Sequence, residues 1–207
     1  EMLESAVSDI EFDNGDFKIV GTDRVVPFRS VAEKAAGENS VAFDEKETFA
    51  PEEATYPNGT HVCELEIDMA TGEIELVDYT VVDDFGRVIN PLLLEGQVHG
   101  GIAQGLGQAI LESCQYESGS GQLLSASFMD YTMPRADDFP AIRFKRNEVP
   151  CETNPLGIKG AGEAGAIGAP PAIVNAIVNA LSDHGIRHVD MPVSPNKVWD
   201  ILQNVSA

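Results

Sequence analysis

Cysteine is scarce in this sequence and badly placed for bridging or for metal binding. Of 207 residues only three are cysteine, Cys63, Cys114 and Cys151, and no two form a Cys-x-x-Cys pair. That spacing argues against a zinc or iron–sulfur centre held by this chain. An odd, scattered count is also unlike a secreted disulfide framework. Positive charge is scarce as well. Lys and Arg number 13 against 34 Asp and Glu, a formal net charge of -21, which argues against nucleic acid and anionic membrane surfaces as partners. No apolar run is long enough to span a membrane, and Glu1-Met2-Leu3-Glu4 does not read as a signal peptide. These absences fit a soluble, cytoplasmic protein. A start on Glu with an immediate helical pattern reads as a chain cut from something longer. Neither an internal repeat nor a dinucleotide or Walker phosphate-binding pattern is present.

Hydrophobic residues make up 43% of the chain, enough for a sizeable core. Residues 1–50 read as a short αβ segment. In it Ile10-Glu11-Phe12 and Phe17-Lys18-Ile19-Val20 flank Asn14-Gly15, a hairpin signal. A short helix is expected from Ser30 to Ala36, ended by Gly37. Residues 38–59 read as a long loop or boundary before a second domain, 60–207. There, His61 to Asp68 alternates apolar and polar, Thr71-Gly72 turns, and Glu73 to Asp83 returns as an antiparallel partner. Asn90-Pro91 should open a helix to about Glu112, with Asn as N-cap and Pro in the first turn. Gly119-Ser120-Gly121 reads as a turn and Ile142 to Lys145 as a strand. A Gly/Pro-rich loop is expected over 151–169, a helix from Pro170 to Leu181, and a last helix capped by Ser194-Pro195. Strands in pairs followed by helices indicate an α+β class, antiparallel hairpins packed with helices.

Two stretches are unusual. The segment Gly96 to Gly107 carries five glycines inside a helical pattern, each costing about 1 kcal/mol relative to Ala. Gly101 and Gly105 share a face where either another backbone or a flat ligand can approach; the local pattern does not choose between them. The second stretch is Lys159-Gly160-Ala161-Gly162-Glu163-Ala164-Gly165, one carboxylate in an almost bare backbone. Such a Glu is a candidate for a raised pKa and proton transfer. Spacing alone suits a helix-capping Glu on a surface loop better.

Taken together, four motifs resemble the molybdenum-binding large subunit of the xanthine oxidase family of molybdenum hydroxylases, in particular its aerobic carbon monoxide dehydrogenase branch. They are Val82-Asp83-Asp84-Phe85-Gly86-Arg87-Val88-Ile89-Asn90-Pro91, the Gly96–Gly107 helix, Phe128-Met129-Asp130-Tyr131, and Asn154-Pro155-Leu156-Gly157-Ile158-Lys159-Gly160-Ala161-Gly162-Glu163. The tail from His188-Val189-Asp190-Met191-Pro192 to Trp199 matches too. Family large subunits are several times longer, so the resemblance is to their C-terminal, molybdopterin-binding part, either an excised domain or one piece of a split subunit. It implies a cofactor of molybdenum and molybdopterin, expected as the cytosine dinucleotide, with no protein side chain as metal ligand. Iron–sulfur and FAD centres are implied in partner subunits or domains, and a dimer of large subunits is expected. Glu163 stands where the family has its general base, helped there by burial in the Gly/Ala loop. Lys159, Gly160 and Ala161 match a segment that contacts the cofactor, with Lys159 a point charge for a phosphate or pterin oxygen. Asp84 and Phe85 match a turn that meets the nucleotide end, where some relatives carry Cys in place of Phe85. Asn90, Leu94, Gln97 and Gln104 are further pocket candidates. The implied reaction oxidises or hydroxylates a small substrate (carbon monoxide, an aldehyde, a purine or another N-heterocycle) with water as oxygen source. The alternative is a non-catalytic scaffold that only packs against a partner.

Overall fold

The computed structural model describes residues 2–38, 46–51 and 53–205. Within the boundary segment 38–59, residues 39–45 and 52 therefore lie outside the described residues. The chain divides into two compact units, Glu1–Ala50 and Pro51–Ala207.

In the first unit β1 (Ile10–Asp13) and β2 (Asp16–Ile19) form an antiparallel hairpin, and β3 (Val25–Pro27) adds to the other edge of β2. Asn14 and Gly15 both take positive φ, 50° and 90°, the geometry of a two-residue hairpin turn that this dipeptide tolerates best. Helix α1 runs Phe28–Glu38. It starts two residues before the expected Ser30 and passes through Gly37. A glycine ends a helix by turning left-handed, and Gly37 is absent from the positive-φ glycines.

The second unit is a three-stranded sheet covered by helices. Strands β4 (Asn58–Ile67) and β5 (Ile74–Asp84) pair antiparallel through the turn at Gly72, whose φ is 78°. Strand β6 (Ile142–Arg146) then joins β5 in parallel, Tyr79 facing Ile142 and Asp83 facing Arg146. The sheet is thus mixed, not built of hairpins alone, because the long connection between β5 and β6 carries the chain back to the same end of the sheet. Helix α2 (Pro91–Leu106) is capped as its sequence indicates, Asn90 Oδ1 accepting from Leu93 N at 3.2 Å. It extends as a π turn over Gly107–Leu111.

Helix α3 departs most from expectation. It spans Ala164–Ala180, starting six residues before Pro170 and carrying Pro170 and Pro171 in its interior. A proline pair normally breaks a helix, at a cost of about 3 kcal/mol or more. Here the first two turns are held by packing on α2. A Cβ at Gly165 would lie 2.4 Å from the Val98 carbonyl oxygen, and one at Gly101 would lie 2.9 Å from Gly165 Cα. A Cβ at Gly105 would sit 2.6 Å from Ala169 Cβ. The glycines of α2 therefore divide by face. Gly101 and Gly105 let two backbones meet, whereas Gly96 and Gly100 have nothing within 4 Å of a built Cβ. The core beneath holds Tyr79, Val81, Val98, Ile102, Leu106, Ile173 and Ile177, all fully buried. Helix α4 (Pro195–Val205) closes it with Val198 and Leu202.

The division predicts opposite outcomes for the same substitution. Gly165→Ala should destabilise by about 2 kcal/mol, because its neighbour is backbone and cannot give. Gly100→Ala should be neutral or stabilising by up to about 1 kcal/mol. Thermal unfolding of the two variants checks the pair; equal shifts would mean that the seam is not the constraint.

Candidate functional site

Three loops from distant parts of the chain are tied together at one carboxylate. Asp84 ends β5, and its Oδ2 receives Lys159 Nζ at 2.6 Å. Its Oδ1 accepts from Gly86 N at 2.8 Å and from Val149 N at 3.1 Å. The two side chains are 12% and 6% exposed, Lys159 first. Burial alone would push the Asp84 carboxyl up. The Lys159 contact and the two backbone N–H groups more than reverse this, so it lies below the usual carboxylate range.

Backbone bonds extend the tie. Lys159 N donates to Phe85 O at 2.9 Å and Arg87 N to Gly157 O at 2.8 Å. Gly86 takes a φ of 64°, and a Cβ there would lie 2.2 Å from Gly157 O, so no larger residue fits. The Asn154 side chain closes its own loop, donating to Ile158 O at 2.9 Å and accepting from Ile158 N at 3.1 Å.

From this anchor the chain runs out as a bare ribbon, Gly160-Ala161-Gly162, and enters α3 at Glu163. The described structure tethers the ribbon through two side chains. Gly160 N donates to Thr55 Oγ1 at 3.3 Å, and Gln97 Nε2 donates to Gly162 O at 2.7 Å. A built Cβ at Gly160 or Gly162 meets nothing within 4 Å. The N–H groups of Ala161, Gly162 and Glu163 have no acceptor among the described residues. The first turn of α3 adds its own unpaired N–H groups and the positive end of its dipole.

Glu163 occupies the N-cap position, with φ -120° and ψ 2°, and its side chain makes no capping bond. It is exposed. The burial expected from the apolar loop is therefore not supplied by this chain, because the helix begins directly after Glu163 and turns the carboxylate outward. Lys159 likewise differs from a point charge waiting for a phosphate, since its ammonium is bonded to Asp84.

The remaining candidates separate. Phe85 is 3% exposed and faces Phe144, so its side chain is core and its main chain alone borders the ribbon. Asn90 caps α2, and Leu94 belongs to the core. Gln104 lies seven residues beyond Gln97 on the same helical face and is exposed. The structure thus brings Asp84, Phe85, Gln97, Lys159, Gly160, Ala161 and Glu163 around one ribbon, and leaves Asn90 and Leu94 in supporting roles.

One buried cluster was not flagged by the sequence pattern. His61 on β4 lies against Tyr79 and Asp83 on β5, with His61 Nδ1 2.8 Å from the Tyr79 hydroxyl and Nε2 3.6 Å from Asp83 Oδ1. The strand alternation carried a signal, since His61 stands in register with the inward Cys63 and Leu65. Cys63 itself is an unreactive thiol, pushed up to about 11 by burial and then by Asp78.

Comparison with known proteins gives a consistent result. The family model described as the molybdopterin cofactor-binding domain matches residues 1–140. The chain is 33% identical to the 6-hydroxypseudooxynicotine dehydrogenase complex subunit gamma of Paenarthrobacter nicotinovorans, over 100% of this chain and 27% of that protein. It is 32% identical to the carbon monoxide dehydrogenase large chain of Hydrogenophaga pseudoflava, over 98% of this chain and 26% of the relative. Its fold matches the crystal structure of the Cu,Mo-CO dehydrogenase with a TM-score of 0.85 and 30% identity, over 99% of this chain and 26% of that one. Quinoline 2-oxidoreductase from Pseudomonas putida 86 matches with a TM-score of 0.85 and 34% identity, over 98% of this chain and 27% of that one. The chain spans about a quarter of the length of these relatives.

Proposed function

This chain belongs to the xanthine oxidase family of molybdenum-binding subunits, in its molybdopterin cofactor-binding part, and from that premise we propose that it forms one wall of the cofactor pocket of a molybdenum hydroxylase and carries its general base. The observation that supports this is the ribbon of unpartnered N–H groups at 161–163, ending on Glu163 at the start of α3. Backbone donors at a helix N-terminus suit an oxygen-rich, anionic group. The bare glycines let such a group come within contact distance. The residues present therefore fit molybdopterin, which supplies the redox chemistry at molybdenum when bound.

The chain's own residues have separable tasks in this reading. Asp84 and Lys159 fix the base of the ribbon, and Gln97 fixes the peptide just ahead of Glu163. The Glu163 carboxylate accepts the proton of the water-derived nucleophile, for which it must stand within hydrogen-bond reach. We assign the cofactor as the cytosine dinucleotide, with Asp84 and Phe85 near its nucleotide end. Iron–sulfur and flavin partners, pairing of large subunits and a cytoplasmic location belong to the same proposal. Among the described residues no helix is long and apolar enough to cross a membrane. The substrate class is a small oxidisable molecule, namely carbon monoxide, an aldehyde or an N-heterocycle.

Metal and nucleotide analysis tests this in the complete protein purified with its partners. About one molybdenum per subunit together with a released pterin nucleotide is expected. Turnover is then sought with carbon monoxide, benzaldehyde, nicotine and quinoline. A protein with intact partners and no molybdenum would be a scaffold instead.

A further inference from the structure

The turn end of the β4–β5 hairpin borders an open groove of about 760 Å³. Ile67, Ile74, Leu76, Ile110, Leu111 and Phe139 give it an apolar floor. Leu76 and Ile110 are buried, but the other four are only half-buried, so the floor is left partly uncovered. Six carboxylates rim it, those of Glu66, Asp68, Glu73, Glu75, Asp137 and Asp138. All six residues are exposed, and no Lys, Arg or His lines the groove. An apolar depression ringed by polar groups is the form of a docking site.

Two of the carboxylates serve the fold. Asp68 Oδ1 accepts from Ala70 N at 2.7 Å and from Thr71 N at 3.3 Å, and Asp138 Oδ2 accepts from Arg135 N at 2.6 Å. The side chains of Glu66, Glu73, Glu75 and Asp137 have no hydrogen bond or ion pair among the described residues. Glu66 also stands directly opposite Glu75 in the strand register. Like charges directly opposite weaken a strand pair. Nothing in the described fold offsets that repulsion, whereas a cationic group laid across the pair would.

Charge and shape narrow the occupant. Among the described residues no group of three His, Cys, Asp or Glu side chains could hold a metal ion. A second copy of this chain, at a formal net charge of -21, would be repelled by the rim. We propose that the groove receives a basic peptide segment of a partner subunit. An apolar side chain of that segment seats on the floor between Leu76 and Phe139, and flanking Lys or Arg side chains pair with Glu66, Glu75, Glu73 and Asp137. The rim then gives orientation and salt-dependent association, and the floor gives the anchor.

This inference rests on the chain working with partner subunits, and on nothing about Glu163 or the cofactor. Carbodiimide labelling of carboxylates with glycine ethyl ester, read by mass spectrometry, tests it in the complete protein. Glu66, Glu73, Glu75 and Asp137 should be shielded while the partners are bound and label freely once they are removed. Equal labelling in both states would overturn the proposal. Shielding that persists without partners would overturn it too, because the subunit's own chain would then fill the groove. Glu66→Lys/Glu75→Lys should weaken partner binding about tenfold and flatten its salt dependence. Two opposed lysines repeat the cross-strand repulsion, so thermal unfolding should be unchanged; Glu73→Lys gives a second variant outside that pair. Unaltered affinity and salt dependence in both variants would sink the proposal. Shielding in a protein that lacks molybdenum would remove the cofactor reading and leave the docking groove standing.

Discussion

Replacing Glu163 with Gln in the complete enzyme should reduce turnover by about a thousandfold, within the range that general acid–base catalysis contributes. The loss should fall on kcat, with molybdenum content and thermal stability unchanged. The structure supplies the reason for that separation. The Glu163 side chain is exposed and caps no backbone N–H, so the amide removes a proton acceptor without removing a structural bond. An ordinary N-cap carboxylate would behave differently, costing about 1 kcal/mol of stability when replaced. Glu163→Asp, which retains the acid on a shorter arm, should recover part of the rate. Near-normal turnover of Glu163→Gln would remove Glu163 from the chemistry altogether.

Lys159→Met should cost the fold about 3 kcal/mol, the scale found when one partner of a buried ion pair is removed. Asp84 would keep its bonds from Gly86 N and Val149 N but lose the cation that holds its charge in a nearly water-free site. Denaturant unfolding measures this, and the double variant Lys159→Met/Asp84→Asn should regain part of the loss because the two positions are coupled. The pair also sets an acid limit. Asp84 is held below its usual value in the folded state, so its stabilising contribution is complete above the unfolded carboxylate value of about 4 and is lost as pH falls through the lower folded value. Lys159→Met should be less sensitive over that window. An unchanged unfolding midpoint for Lys159→Met would show that the ion pair is energetically neutral, and the ribbon would then depend on its backbone bonds.

Local chemistry was readable wherever one residue decides its own surroundings. Asn14-Gly15 dictates a tight turn, Asn90-Pro91 starts a helix, and the alternation after Thr60 makes a strand. Each depends on neighbours a few residues away, which a sequence displays directly. The glycine helix was ambiguous for the opposite reason. Whether Gly101 faces a backbone or a ligand depends on α3, more than sixty residues on, and the answer is Gly165. The early start of α3 was hidden likewise, because Pro170 and Pro171 argue locally for a boundary and only packing against α2 outweighs them.

The motifs around residues 84, 97 and 154–163 were visible as a family resemblance, and membership in that family follows from the whole chain. What each residue touches within the motifs was decided by contacts distant in sequence. Lys159 reaches a carboxylate 75 positions away, Gln97 reaches a carbonyl 65 positions away, and His61 meets Asp83 across a strand pair. Sequence alone determined the turns, the caps, the acidic character and the kind of protein this is, since those follow from residue type and short-range order. The ion pair beneath the ribbon, the exposed position of Glu163 and the buried His61–Tyr79–Asp83 cluster were decided by tertiary structure, because a charge or a hydrogen bond is fixed by which groups the fold brings within about 3 Å.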